Sequence, residues 1–278
     1  MVEIGKVYRL KVLTEQPFGI YFDADNLGKV LLPRSYMTRS YTPGEFAEVV
    51  IYRDGEERLI ASDRKPLAEV GQFAWLKVVM TNAIGAFLDW GLPKDLLVPL
   101  SEQRTPMAKG EYHPVYLYLD AQTDRPSASG KLGKFLDKNP PEYEAGEAVD
   151  LLLIRESELG FQAIVNGRHM GLLYEQEIFR PVACGDRISG YVLKIREDGK
   201  IDLSQQQPGY QKIDDMARKI LDLIVARGGF IPVTDKSDPE VIYRIFGISK
   251  KNYKKAIGAL YKARLIALET DGVRLTEA

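Results

Sequence analysis

The stretch "GAFLDWG" at residues 85–91 decides the fold, because its pattern recurs along the chain. Similar stretches begin at Gly19 ("GIYFD") and at Gly160 ("GFQAI"). In all three cases a second glycine stands 14 residues earlier and a third stands 25 residues later. Three glycines at one spacing, found three times, indicate an internal repeat, and a repeat determines how every other feature is interpreted. The six flanking glycines are Gly5, Gly44, Gly71, Gly110, Gly146 and Gly185.

The repeats divide most of the chain into three units, at residues 1–66, 67–138 and 143–207. Each unit contains about five short segments rich in β-branched and aromatic residues, separated by turn signals. Five short strands without a long helix between them predict a small closed barrel of the OB-fold type. We expect the glycines to permit bulges and sharp bends where a strand turns a barrel corner.

Residues 210–278 have a different pattern, typical of a winged helix-turn-helix domain. A helical stripe predicts a first helix over 213–229, which includes Ile213. Asp238 and Ser249 are predicted to cap the next two helices, and the segment around Asp271 and Gly272 predicts a hairpin. The predicted fold class is therefore multi-domain and mainly β: three tandem five-stranded OB-fold barrels, followed by a small α+β winged helix domain.

Composition excludes several classes of protein. The single cysteine, Cys184, rules out an internal disulfide framework and suits a reducing compartment. No apolar run is long enough to cross a bilayer, and the N-terminal residues lack the pattern of a signal peptide. We therefore expect a cytoplasmic protein with no membrane partner.

Charge is distributed unevenly along the chain, although the net charge is only −1. Residues 210–278 contain 13 Lys and Arg against nine Asp and Glu, whereas the rest contains 25 against 30. An acidic body with a basic final domain can orient an anionic partner.

Side-chain alternation along the strands predicts which residues face outward. In "GIYFD" and "GAFLD" the acid belongs outside, which places Tyr21 and Phe87 on the outer surface with it. An outward aromatic on an OB barrel is a platform on which a nucleic-acid base can stack, and Lys77 could meet a phosphate beside it. The alternative is that these aromatics pack against a neighbouring unit.

The third predicted helix of the final domain concentrates positive charge at its N-terminal end. Lysines in this position suit phosphate contacts, although a solvated helix face would have the same pattern. No set of Arg, Asn or Gln suited to reading base edges accompanies them, so we expect contacts with a nucleic-acid backbone or a protein. The five candidate lysines are Lys250, Lys251, Lys254, Lys255 and Lys262.

Nothing in the sequence predicts a catalytic, metal or cofactor site. The segment "GKLGKF" (130–135) lacks the spacing and the hydroxyl residue of a phosphate-binding loop. The two histidines lie in different units without metal-ligand spacing, and no compact carboxylate group suggests a two-metal nuclease. We therefore predict a protein that is not an enzyme, with nuclease activity as the enzymatic alternative.

The stretch "GAFLDWG" followed by "DLLVPLSEQ" (95–103) resembles the RNA-binding repeat named after ribosomal protein S-one. That resemblance implies an OB fold with Phe87 at the base-stacking position and Tyr21 at the same position in the first unit. The third unit departs from the pattern with Gln162. The place where the repeat often has a second aromatic residue is occupied by leucine: Leu31, Leu97 and Leu172.

Over its full length the chain resembles the conserved virulence factor B family, most specifically in "GISKKNYKKAIGALYK" (247–262). The resemblance implies a bacterial RNA-binding regulator of gene expression without a cofactor. The predicted function is post-transcriptional regulation through binding of single-stranded RNA. Two alternatives stay open: a DNA-binding transcriptional regulator that uses the winged helix, and a scaffold that docks on ribosome or polymerase components.

Overall fold

The computed structural model, which describes residues 1–207 and 215–276, contains three closed five-stranded barrels followed by a winged helix domain. The predicted fold class is therefore confirmed. The first barrel consists of β1 (Val7–Gln16), β2 (Gly19–Asp23), β3 (Lys29–Pro33), β4 (Phe46–Arg53) and β5 (Leu59–Ser62). The second consists of β6 (Phe73–Asn82), β7 (Gly85–Asp89), β8 (Leu96–Pro99), β9 (Tyr112–Asp120) and β10 (Arg125–Ser129). The third consists of β11 (Ala148–Ser157), β12 (Gly160–Val165), β13 (His169–Tyr174), β14 (Arg187–Ile195) and β15 (Ile201–Ser204).

The first strand of every barrel has a bulge at the same place, but the bulged residues are not glycines. The ladder between the first two strands shifts between Val12 and Thr14 in the first barrel, and at the equivalent positions of the other two. The repeat glycines therefore do not occupy these bulges themselves. A repeat glycine instead donates its N–H to the carbonyl next to the bulge, in the pairs Gly44–Val12, Gly110–Val78 and Gly185–Leu153.

The glycine that opens the second strand is required by close packing of backbones. A Cβ on Gly19 would overlap the carbonyl oxygen of Leu32, and one on Gly85 would overlap that of Val98. Strands β2 and β3, and likewise β7 and β8, approach too closely at this point for any side chain. This contact explains why the quoted stretch begins with glycine.

Trp90, in the quoted stretch, fastens the second barrel to the first. Its side chain is fully buried and meets the ring of Tyr52 edge to face, while its indole N–H donates to the carbonyl of Lys94. The ammonium of Lys94 donates in turn to the backbone carbonyls of Arg53 and Asp54 in the first barrel. Burial lowers the pKa of Lys94, which is consistent with an ammonium enclosed in this contact.

The second barrel packs on the third through outward-facing aromatic and aliphatic side chains. Within the second unit, Tyr116 stacks on Phe135 with centroids 4.2 Å apart. Across to the third unit, the ring of Trp75 covers Gly185 so closely that no Cβ would fit there. This cluster contains Phe73, Trp75, Leu132, Leu152, Ile154, Ile164 and Met170. Phe73 and Trp75 are therefore outward-facing aromatic residues that pack on a neighbouring unit, which is the alternative to base stacking.

The winged helix domain contains α1 (Asp215–Ala226), β16 (Phe230–Ile231), α2 (Pro239–Phe246), α3 (Lys250–Lys262), β17 (Ile266–Leu268) and β18 (Val273–Leu275). The predicted caps are present: Asp238 accepts from the N–H of Glu240, and Ser249 accepts from that of Asn252. The predicted hairpin is present, because β17 pairs antiparallel with β18, and β16 adds a third strand on the other side of β18. Ile213, assigned to the first helix, lies outside the described residues.

By its contacts the chain forms two compact units. One holds Met1–Pro140, Asp150–Leu172 and Val182–Ile188, and the other holds the remaining described residues, which include the winged helix domain. The boundaries 1–66, 67–138, 143–207 and 210–278 stay a prediction about domains. No helix in the described part of the chain is long and apolar enough to span a membrane.

Candidate nucleic-acid interface

Strand β2 presents Tyr21 on the outer surface of the first barrel. Ile20 and Phe22 on either side are fully buried, whereas Tyr21 is half-buried. The register places Tyr21 directly opposite Thr14 of β1 and Leu31 of β3. The ring therefore lies in the middle of a three-stranded outer face, which is the geometry that a base-stacking platform needs.

A groove of about 620 Å³ surrounds Tyr21. Phe18 contacts Tyr21 edge to face, with ring centroids 6.2 Å apart. Two aromatic rings and the flanking leucine offer an apolar surface to a base. The lining residues are Phe18, Tyr21, Lys29, Leu31, Pro33, Ser35, Tyr36, Asp54, Arg58, Leu59 and Ile60.

The cations near this groove differ in how they are used. Arg34 donates to the carbonyls of Pro17 and Gln16, so it holds the β1–β2 turn in place. Arg58 pairs with Asp54, and hydrogen bonding to that carboxylate raises the pKa of Arg58. Lys29 is exposed and has no ion-pair partner among residues 1–207 and 215–276. Of these three cations, Lys29 is thus the one left for a phosphate, although it lies opposite Asp23 on β2.

Strand β7 presents Phe87 at the equivalent position of the second barrel. It is half-buried between fully buried Ala86 and Leu88, and it lies opposite Met80 and Leu97. Phe87 and Tyr21 therefore share one register, each with a leucine on the next strand as the sequence pattern predicts. The role of either ring in stacking stays a prediction.

An exposed apolar residue precedes the repeat glycine in every barrel. Phe18 is 55% exposed, Ile84 is 59% exposed and Leu159 is 63% exposed. Each lies at the tip of the turn between the first two strands, beside the platform position. Sequence reasoning missed these residues, although "FG", "IG" and "LG" stand at a fixed place in the repeat and could have revealed them.

Lys77 shares the outer face of the second barrel with Phe87 but is one step further along the ladder. It lies opposite Asp89 on β7 and Tyr112 on β9. Its ammonium is 5.9 Å from the centroid of the Tyr112 ring. Lys77 is exposed and lies opposite the carboxylate of Asp89. Its attraction for a phosphate is therefore weaker than that of an isolated lysine.

The third barrel has polar side chains where the others have the platform. Gln162 lies opposite Arg155, at the register that Phe87 and Met80 occupy in the second barrel. One step further along, Leu152 lies opposite Ile164, and both pack against the second barrel. Gln162 therefore differs from the aromatic residue of the other barrels together with its neighbours on the outer face, and not as a single substitution.

Helix α3 separates the five candidate lysines into three environments. Lys251, Lys255 and Lys262 are exposed on the face opposite the buried residues, which are Tyr253, Ala256, Ile257 and Leu260. Gly258 lies on the same face, and nothing lies within 4 Å of the position its Cβ would have. This face combines three cations with a gap at which a phosphate backbone can approach the helix closely.

Lys254 and Lys250 are already engaged within the domain. Lys254 forms an ion pair of 3.4 Å with Asp235 but stays largely exposed. Lys250 is half-buried, and its ammonium donates to the carbonyls of Lys236 and Ser237. The prediction treats all the lysines alike, whereas the structure gives Lys250 a structural role in joining α3 to the segment before α2.

No described residues form a group of three or more His, Cys, Asp or Glu side chains suited to holding a metal ion. The segment "GKLGKF" follows β10 and forms a single 3-10 turn at Leu132–Lys134. It does not lead from a strand into an α-helix, as a phosphate-binding loop does.

Comparison with known protein families finds two matching domains. Residues 4–63 match the S1 domain, and residues 218–275 match the CvfB-like winged helix domain. Both are families of nucleic-acid-binding domains, which are typically non-catalytic. The domain content therefore indicates nucleic-acid binding.

Curated relatives match over nearly the whole chain. A protein of Bacillus subtilis described as the uncharacterised protein YitL is 30% identical, covering 93% of this chain and 89% of that protein. Proteins described as conserved virulence factor B are 27% identical in Staphylococcus epidermidis, over 99% of this chain and 95% of that one. The protein of the same description in Staphylococcus aureus is 26% identical, over 99% of this chain and 94% of that one.

A solved structure also matches along the chain. It is described as a multidomain protein with nucleic acid binding domains from Streptococcus pneumoniae. It is 24% identical, covers 98% of both chains and gives a TM-score of 0.46.

Proposed function

We propose that this chain, which belongs to the conserved virulence factor B family, is a non-catalytic regulator that binds single-stranded RNA. The barrels supply stacking platforms, and the winged helix domain supplies positive charge. We further propose that it acts on gene expression after transcription and that it is located in the cytoplasm.

The observation that carries this proposal is the shared register of Tyr21 and Phe87. Each ring is half-buried at the centre of the outer face of a barrel, beside an exposed apolar residue at the adjacent turn. Bases in a single strand are free to stack on such rings, whereas bases in a duplex are already stacked on each other. The two barrels are also fastened by Trp90 and Lys94, so the platforms are held at a fixed spacing.

The test is fluorescence anisotropy with full-length protein and two labelled probes at two salt concentrations. One probe is a single-stranded RNA of about 20 nucleotides, long enough for more than one barrel at roughly 4–16 nucleotides each. The other is a duplex DNA of equal length. We expect tighter binding to the RNA, weakened by salt because phosphate contacts release counterions. Equal or tighter binding to the duplex would contradict the proposal.

The outward face of α3 supports a second candidate, a regulator that binds duplex DNA. Lys251, Lys255 and Lys262 lie on one helix face with a gap at Gly258, and this helix of a helix-turn-helix domain is the one that enters a DNA groove. In that case the duplex probe binds more tightly, and substitution of the three lysines by glutamine abolishes the preference. Binding to neither probe would instead favour a scaffold for protein partners.

A further inference from the structure

A cleft of about 690 Å³ lies between the second and third barrels, and all of its lining residues belong to the first compact unit. Its volume is within the range of about 300–1,000 Å³ that is typical of ligand sites. The floor is apolar, with Trp75, Leu132 and Met170, and the sequence motif "GKLGKF" forms one side. The function proposed from the platforms makes no use of this cleft.

The charged side chains that line the cleft are mainly basic. Four basic side chains line it, against the single carboxylate of Glu156. Lys134 is engaged by Glu102 at 2.7 Å, but the other three are exposed and have no ion-pair partner in the part of the chain that the structure describes. Unpaired cations around a partly apolar floor suit a ligand that is both aromatic and anionic. These three are Arg104, Lys131 and Arg155.

The register connects the cleft with the outer faces of the barrels. Gln162 and Arg155 line the cleft, and they occupy the ladder position that holds the platform in the other barrels. The third barrel therefore directs its equivalent of the platform toward the second barrel. An amide has two N–H donors and an acceptor oxygen, so Gln162 can pair with the edge of a base instead of stacking on its face.

We infer that this cleft is a second single-stranded RNA site, which takes one nucleotide of a strand that crosses from the second barrel to the third. Arg104, Lys131 and Arg155 contact its phosphates, and Gln162 contacts its base. This inference rests on the proposed function, since it deepens the account of how RNA is bound. It assigns the cleft to a nucleotide within a strand and not to a free nucleotide.

The cleft contains its own reporter, because the only cysteine of the chain, Cys184, lines it. The thiol is half-buried and without a disulfide partner, and burial raises its pKa, so it reacts slowly with an alkylating agent. A bound strand should shield it further. At an RNA concentration ten times the Kd, we expect alkylation about tenfold slower, because only about a tenth of the protein is then free.

The variant that tests the site is Arg104→Gln with Arg155→Gln in the full chain. Both side chains are exposed, so folding should be preserved, and the melting curve checks this. The matched control is Lys65→Gln with Lys109→Gln, which removes the same charge from exposed positions outside the cleft. The cleft variant should lose the RNA protection of Cys184. The slope of log K against log salt concentration should fall by about 1.4, or about 0.7 for each lost phosphate contact.

Each outcome decides between the alternatives. If RNA binds and depends on Tyr21 and Phe87, yet Cys184 reacts at an unchanged rate, the cleft inference fails while the proposed function stands. Protection that persists in the cleft variant also overturns the inference. If no RNA binds, the proposed function itself fails. A mononucleotide that protects Cys184 as well as the strand does, at equal nucleotide concentration, would show a free-nucleotide site instead.

Discussion

Tyr52 of the first barrel and Trp90 of the second meet edge to face, with ring centroids 6.1 Å apart and both side chains fully buried. The contact joins the end of the quoted stretch to the preceding unit. It lies in one continuous cluster with the core of the second barrel. The outer faces with Tyr21 and Phe87 are therefore carried by two barrels whose mutual position is fixed by packing.

Substitution of Trp90 by alanine should destabilise the protein strongly. Replacing a buried aromatic residue by alanine typically costs about 3–5 kcal/mol, and here the indole hydrogen bond to Lys94 is also lost. Urea denaturation measures the change in the free energy of unfolding. It is followed by far-UV circular dichroism, because the substitution removes a tryptophan and would alter a fluorescence signal. Phe46→Ala is the control, because Phe46 is exposed and should change the free energy of unfolding by less than about 0.5 kcal/mol. Equal effects of the two substitutions would show that Trp90 does not join the barrels.

Two buried tyrosines should respond in opposite ways to replacement by phenylalanine. The hydroxyl of Tyr52 is buried without a hydrogen-bond partner in the described structure, so Tyr52→Phe should leave stability unchanged or raise it by about 1 kcal/mol. The hydroxyl of Tyr253 donates to the carbonyl of Val233 at 2.9 Å. Tyr253→Phe should therefore lower the free energy of unfolding by about 1–2 kcal/mol. Loss of stability in both variants would contradict the assignment of Tyr52.

The winged helix domain should lose stability at alkaline pH through Tyr253. Burial, with a smaller contribution from the charge of Asp235, raises the pKa of Tyr253 to about 12. A folded-state pKa above the unfolded value of about 10 stabilises the fold fully below pH 10, and this stabilisation is lost as pH rises through 12. Unfolding of the natural chain and of Tyr253→Phe is followed by helical ellipticity. The difference between their free energies of unfolding should be constant up to pH 9 and then shrink. A constant advantage up to pH 12 would contradict the prediction.

The lysines of α3 should separate into two classes. Substitution of Lys251, Lys255 and Lys262 by glutamine should reduce the salt dependence of RNA binding, by a slope of about 0.7 for each phosphate contact, while stability is preserved. Lys250→Gln should instead lower the melting temperature, because its ammonium bonds two backbone carbonyls, with little effect on the salt slope. Binding titrations and melting curves on the same preparations give both readouts. The prediction would be contradicted if Lys250→Gln changed the salt slope and the triple substitution lowered the melting temperature.

The architecture could be predicted because backbone constraints repeat. Gly19 and Gly85 are required by close strand contacts within their own barrels, so the same residue type returns at the same spacing. The outward position of Tyr21 also follows from local alternation along one strand. Such features depend on residues that are close in sequence or that lie on the adjacent paired strand. They therefore leave a pattern that a single sequence reveals.

Features that depend on contacts between elements could not be predicted. Trp75 and Trp90 have the same sequence character as platform residues, yet they pack between barrels because of what lies opposite them. Lys250 differs from Lys251 only because two carbonyls lie within its reach. The short strand β16 becomes recognisable only when β18 is beside it.

The central claim is that Tyr21 and Phe87 bind RNA by stacking, and a double substitution tests it most directly. The anisotropy of a labelled single-stranded RNA would be titrated with the natural chain, with Tyr21→Ala/Phe87→Ala, and with Phe46→Ala as an exposed aromatic control. Since stacking contributes about 1–3 kcal/mol per base, the double variant should bind at least tenfold more weakly, whereas the control should bind normally. Unchanged affinity in a folded double variant would contradict the claim.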